Sequence, residues 1–211
     1  MKNLIQKLKL KARPLRPQPK TQQATQQATQ QSSSWLIVGL GNPGSDYKSN
    51  RHNVGQQTLD VMASRLGVVF KSHKSVASVA LAKTATGGSL LLVKSSGFMN
   101  LSGAPVAAVA KFYSVPTEKI IVIHDELDLE FGDIRKKFDG GHAGHNGLRD
   151  ISSKCGAGYH RVRFGIGRPP GSMPVVSFVL QDFSTTQKKE LPVLLELAAD
   201  RVFEILQPDS K

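Results

Sequence analysis

The run WLIVGL at residues 35–40, followed at once by GNPGSDYKSNRHN at 41–53, decides how this chain folds. Six apolar residues without a polar interruption mark a strand buried on both faces, the pattern of a strand inside a sheet covered on two sides. The polar stretch that follows is a loop, and the helical spacing beyond it predicts a helix from about Val54 to Leu66. Working downstream, 75–83 and 89–94 read as two strands joined around Gly87 and Gly88. Ser102 stands where it can cap a helix carrying Val106, Val109, Ala110 and Tyr113, and that helix must stop before Pro116. Ile120–Ile123 is a second buried strand. A glycine-rich loop at 139–147 leads to a short helix, VRFGIG at 162–167 to another strand, and Leu191, Leu194, Leu195, Ala198, Val202 and Leu206 to an amphipathic terminal helix. Strands that alternate with helices define a single α/β domain whose sheet mixes parallel and antiparallel strands.

Upstream of Trp35 the character changes. Residues 1–34 hold Lys2, Lys7, Lys9, Lys11, Arg13, Arg16 and Lys20 and no acid, so +7 of the net charge of +12 lies there and +5 in 35–211. Leu4, Ile5, Leu8 and Leu10 among the lysines form a short amphipathic pattern, and the tract from Gln22 to Ser34 has too little apolar surface to order itself. This reads as a disordered basic extension, a mitochondrial presequence that directs the chain to the matrix; a plain basic tail on a cytoplasmic protein is the alternative. Residues 35–211 are the folded domain. The one cysteine, Cys155, leaves no intrachain disulfide and no multi-cysteine zinc site. No stretch approaches the roughly 20 apolar residues that cross a bilayer, so no membrane partner is expected.

Several motifs must be weighed before a site is assigned. GLGNPG at 39–44 satisfies G-x-G-x-x-G, but a dinucleotide fingerprint needs the glycine turn to open directly into a helix, and here the loop from Pro43 to Asn53 intervenes. There is no Walker, lipase-elbow, EF-hand or HExxH pattern, and His142 and His145 have neither a nearby cysteine nor a helix to hold them as metal ligands. Glu126 and Asp128 could join Asp125 in an all-carboxylate or magnesium site, but if the strand continues alternation places Asp125 on the face opposite to them. What remains is a scattered polar set. Asn42 stands at the end of the first strand, where it either caps its own turn or presents an amide. His52 precedes a helix and is a cap or a base. Asp125 closes the strand IIVIH, where a carboxylate can hold an imidazole and leave its other nitrogen basic. Asn100 and Asn146 stand at helix starts and read equally as caps or ligands. Arg135, Lys137, Arg161, Arg163 and Arg168 form a basic set suited to a phosphate backbone.

Taken together, GLGNPGSDYKSNRHNVG (39–55), FMNLSG (98–103), HDELDLEFG (124–132), GGHAGHNGLRD (140–150) and YHRVRFGIGRP (159–169) resemble the bacterial-type peptidyl-tRNA hydrolase family, from Trp35 to about Leu206. The resemblance implies a monomer with a mixed twisted β-sheet surrounded by helices, and neither metal nor organic cofactor. It implies hydrolysis of the ester between peptide and tRNA, with His52 as the base that takes a proton from water and Asp125 as its supporting acid. Asn42, Asn100 and Asn146 match the family's substrate-positioning asparagines and Tyr47 the tyrosine near the terminal nucleotide. Arg135, Lys137 and Arg163 match its clamp on a tRNA phosphate. The partner is then peptidyl-tRNA and not DNA. A helical segment around 147–154 is expected to cover the peptide cleft. The chain departs from the family at Ser95 and Gly97, where proline and threonine are usual, and at Asp139 and Ala143, where glycine is common. An RNA-binding relative without catalysis is the alternative of a different class, and turnover of peptidyl-tRNA separates the two.

Overall fold

The computed structural model describes residues 34–84 and 88–207. The expected extension, except for Ser34, and the Gly87 part of the expected turn lie outside the described residues. Seven strands form one sheet: β1 (Trp35–Gly39), β2 (Lys71–His73), β3 (Ala77–Lys83), β4 (Ser89–Ser95), β5 (Ile120–Glu126), β6 (Ile134–Phe138) and β7 (His160–Gly165). Their order is β2-β3-β4-β1-β5-β7-β6. β4, β1, β5 and β7 run parallel in the middle, while β3 pairs antiparallel with β4 and β6 with β7, so the sheet is mixed as its sequence requires.

The helices are α1 (Val54–Arg65), α2 (Gly103–Phe112), α3 (Asn146–Cys155), α4 (Val175–Val179) and α5 (Thr185–Leu206). β1 shows why an unbroken apolar run was needed. Ile37 joins the core against α1, α4 and α5, while Leu36 and Val38 join the core against α2 and α3. Burying a side chain of this size contributes about 1.5–3 kcal/mol, and β1 does so on both faces.

Two local results differ from expectation. β2 carries no apolar alternation, and only its antiparallel pairing with β3 makes it a strand. Ser102 does not cap α2. The 3-10 turn Met99–Leu101 runs straight into the helix, so Ser102 is helical (φ −73°, ψ −25°) rather than extended, and its hydroxyl donates to the Met99 carbonyl at 2.8 Å. The free Gly103 N–H instead donates to Asp150 Oδ2, 2.6 Å away on α3. A carboxylate at that end of α2 also faces the positive pole of the helix.

Candidate active site

Parallel β4, β1 and β5 end at one edge of the sheet, and the loops that follow their carboxyl ends build the site, as in other open α/β sheets. Close approach makes this possible. A Cβ on Gly39 would lie 2.3 Å from the Gly55 carbonyl oxygen, and one on Gly55 would lie 2.3 Å from that of Ile123. Two glycines therefore let α1 start directly on β1 and β5, which carries the preceding turn Arg51–Asn53 over the end of β5. Arg51 fixes that turn from behind. Its Nη1 donates to the carbonyls of Asp182 (2.7 Å) and Gln181 (3.2 Å), and its guanidinium lies 4.3 Å from the centre of the Phe178 ring.

His52 then meets Asp125. Nδ1 of His52 lies 2.8 Å from Asp125 Oδ1, and Nε2 of His145 lies 3.0 Å from the same oxygen. The tautomers follow from the partners. The His145 Nδ1 accepts from the backbone N–H groups of Gly147 (3.2 Å) and Leu148 (3.4 Å), so its proton is on Nε2 and points at Asp125. His52 likewise gives its Nδ1 proton to the carboxylate, and its Nε2 keeps a lone pair with no hydrogen-bond partner among the described residues. Burial pushes the Asp125 carboxyl upward, but the two imidazoles beside it outweigh burial and hold it well below the usual carboxylate range. For His52, burial lowers the pKa, while the charge and hydrogen bond of Asp125 more than offset this and leave it raised. His124, fully buried behind His145, is lowered to about 3 by burial first and by His145 second, and stays neutral.

The amides converge on the same place. Asn42 and Asn53 bond each other, Asn42 N to Asn53 Oδ1 at 2.9 Å and Asn53 Nδ2 to the Asn42 carbonyl at 2.8 Å. The Asn42 Oδ1 accepts from Met99 N–H at 2.8 Å, which ties the end of β1 to the 99–101 turn and leaves the amide N–H₂ as a donor without a partner among the described residues. Asn42, Tyr47, His52, Asn100, Asp125 and Asn146 all line one cleft of about 790 Å³. Tyr47 packs edge-on against Phe98 at its wall, with ring centres 6.2 Å apart. Val175, Val176 and Val179 of α4 supply an apolar side, and Arg149 and Arg168 a charged one. The first turn of α3 lines this cleft with Asn146 and Arg149, while Leu148 and Ile151 are buried in the core.

His145 is the functional side chain that sequence reading missed. Its signal lies in GHAGHNG, where a histidine that directly precedes a helix can act as its cap as well as a metal ligand. By donor type, His52, Asp125 and His145 could hold a metal ion, since their ligand atoms lie within 4.8 Å of one another. The hydrogen bonds argue otherwise. A metal at His145 Nε2 requires that nitrogen's lone pair, yet the two backbone N–H groups already occupy the lone pair of Nδ1, so the ring would have to become an imidazolate.

The basic residues separate into different roles. Arg135 pairs with Arg163, and Lys137 with Arg161, across β6 and β7. Arg135 is bound to Asp133 and Arg163 to Glu126 at 3.0 Å, which leaves Lys137 as the member of the expected clamp without an ion-pair partner among the described residues. Arg161 is buried and turns to the 139–145 loop, and the exposed Arg168 pairs with Asp128 at the cleft.

A doubly covered α/β sheet with an imidazole–carboxylate pair opening into a cleft at its strand ends is the arrangement of a hydrolase, since such a pair can accept a proton from water. Comparison with known proteins names the group within that class. A peptidyl-tRNA hydrolase family model matches residues 36–211. The chain is 50% identical over 178 residues to a peptidyl-tRNA hydrolase of Arthrobacter sp., covering 83% of this chain and 92% of that one. It is 52% identical over 173 residues to that of Streptomyces coelicolor, covering 80% and 86%. The crystal structure of peptidyl-tRNA hydrolase from Acinetobacter baumannii superposes with a TM-score of 0.72 at 35% identity, over 83% of this chain and 93% of that one. The chain belongs to the peptidyl-tRNA hydrolase family, and its reaction is hydrolysis of the ester that joins peptide to tRNA.

Proposed function

We propose that His52 is the general base of this hydrolysis and that Asp125 sets its tautomer and favours the imidazolium that forms. The observation that carries this is the His52 Nδ1–Asp125 Oδ1 bond of 2.8 Å, which leaves Nε2 as a proton acceptor on a residue that lines the cleft. Water held there attacks the ester carbonyl as His52 Nε2 takes its proton, and when the C–O bond to ribose breaks the imidazolium returns that proton to the departing oxygen. Asn42 and Asn100 position water and ester, and Asn146 binds the peptide backbone. Tyr47 packs by the terminal nucleotide. Arg135, Lys137 and Arg163 meet a tRNA phosphate. General-base assistance commonly contributes about 100-fold or more, so His52→Gln should lower single-turnover peptide release at saturation by at least about that factor while leaving tRNA affinity nearly unchanged. Release at the wild-type rate would remove His52 from this role.

The protein acts as a monomer on peptidyl-tRNA, without DNA or membrane as partner. Residues 1–34 are a mitochondrial presequence and 35–211 the enzyme. The acid-free basic composition of the first segment supports this reading, and so does a family match that begins at residue 36. An inert reporter carrying residues 1–34 should enter mitochondria and be processed; cytoplasmic retention of the intact fusion would leave a plain basic tail.

A further inference from the structure

We infer that Arg161 is a positioning residue of the catalytic cleft: from β7 it anchors the 139–145 loop so that His145 and Asn146 are presented to Asp125 and to substrate. The loop joins the edge strand β6 to α3 and has few bonds of its own. Asp139 N–H donates to the Tyr159 carbonyl at 3.0 Å, and His145 N–H to the His142 carbonyl at 2.8 Å. Its middle is held from outside by one side chain among the described residues. Arg161 Nη1 donates to the Gly141 carbonyl at 2.7 Å and Nη2 to that of Gly140. Positive φ at Asp139, Gly140, Ala143 and Gly144 shows how tightly the chain is bent there. Such conformations persist when the surroundings over-determine them.

The same guanidinium reaches the other end of the unit. It lies 4.8 Å from the centre of the Tyr159 ring, and the Tyr159 hydroxyl meets Ser152 Oγ at 2.9 Å on α3. Loop and helix, whose junction is His145–Asn146, are thus fixed against one group. Arg161 is only 2% exposed and no carboxylate pairs with it among the described residues. A buried cation that spends its donors on two loop carbonyls is a costly device for stability alone, and what it secures is the position of the next catalytic-cleft residues.

The proposal rests on the His145–Asp125 bond and the cleft assignment above, so its test has one readout independent of turnover. In the full-length free protein, imidazole 15N resonances of His145 should show a protonated Nε2 and bare Nδ1, and Arg161→Met should move them toward tautomer-averaged values. Arg161→Met should also lower the saturating single-turnover rate by about 10- to 100-fold, the scale of a misplaced positioning group, with tRNA affinity within about twofold. Arg161→Lys should recover part of the rate. Combining Arg161→Met with His145→Gln should be no slower than the slower single variant by more than about twofold, since both act through one unit. Unchanged His145 resonances, multiplicative losses in the double variant, or a loss of tRNA affinity at an unchanged saturating rate would each overturn the inference. If Arg161→Met does not fold, Arg161→Lys decides it by the same split between rate and affinity.

Discussion

Asp125→Asn offers a direct measure of how the carboxylate prepares His52. Both imidazole N–H groups now end on Asp125 Oδ1, at 2.8 and 3.0 Å. An asparagine oxygen at the same place can still accept both, so the fold should survive while the charge disappears. Hydrogen bonds to charged groups contribute about 1.5–3 kcal/mol and neutral ones about 0.5–1.5, so the imidazolium that forms on proton transfer loses about 1–2 kcal/mol of support. That corresponds to about 5- to 30-fold in the saturating rate. The pH dependence has a fixed sign. The carboxylate raises the His52 pKa against burial, so without it burial alone remains and the pKa falls. Single-turnover release of peptide measured from acid to neutral pH should therefore show a lower plateau and an acid limb displaced to lower pH. An acid limb in its wild-type place, or one displaced upward, refutes the coupling of His52 to Asp125.

Three further outcomes follow from particular residues. His124 is neutral in the fold with its pKa near 3 but binds a proton in the unfolded chain at an ordinary histidine pKa, so its contribution falls as pH drops below about 6.5. It should cost about 2 kcal/mol of stability at pH 5, and urea unfolding of His124→Gln should show a smaller loss between pH 7 and 5; an identical loss would show that His124 protonates in the fold. Ala143 holds φ +45° on an exposed loop, so Ala143→Gly should stabilise the protein by about 0.5–1 kcal/mol in the same assay, and a loss of stability would contradict strain there. Lys137→Ala should reduce the log–log salt slope of tRNA binding by about 1, and Arg135→Ala by less because Asp133 already neutralises it; equal slopes would dissolve the distinction.

Much of the architecture was legible because it rests on local pattern. WLIVGL is apolar throughout because both faces of β1 are covered, and α2 stops before Pro116 as expected, its end made at Phe112 by the left-handed Ser114 (φ 55°). Asp125 at the close of IIVIH could be read as a candidate because a strand end in an α/β sheet is where loops converge. The illegible parts depend on contacts across the chain. Asp150 took the capping role expected of Ser102 because α3 packs beside α2, 47 positions away in sequence. β2 exists only through its partner. His145 looked like half of a poor metal pair until the fold placed it, with His52, on one carboxylate oxygen. Arg161 looked like one cation of a surface patch, whereas strand pairing fixed its neighbours but not that its side chain would turn inward.

The order of the sheet also governs how the protein can be made. β1 is the first strand to be synthesised, yet its two parallel neighbours, β4 and β5, supply pairing residues 90–93 and 120–123. A nascent chain that has passed Gly39 therefore carries an apolar strand with both hydrogen-bonding edges open until residues 90–93 are made, and with the edge that faces β5 open until residues 120–123 follow. Non-local parallel pairing is slow and leaves such edges open to association with other chains. Fragments that end before Ile120 should accumulate as aggregates, and fragments that reach Glu126 but lack β7 should still expose the far edge of β5. β1, from which the 41–53 loop carrying Asn42 and His52 leads off, is thus also the segment that most needs protection while the chain is incomplete.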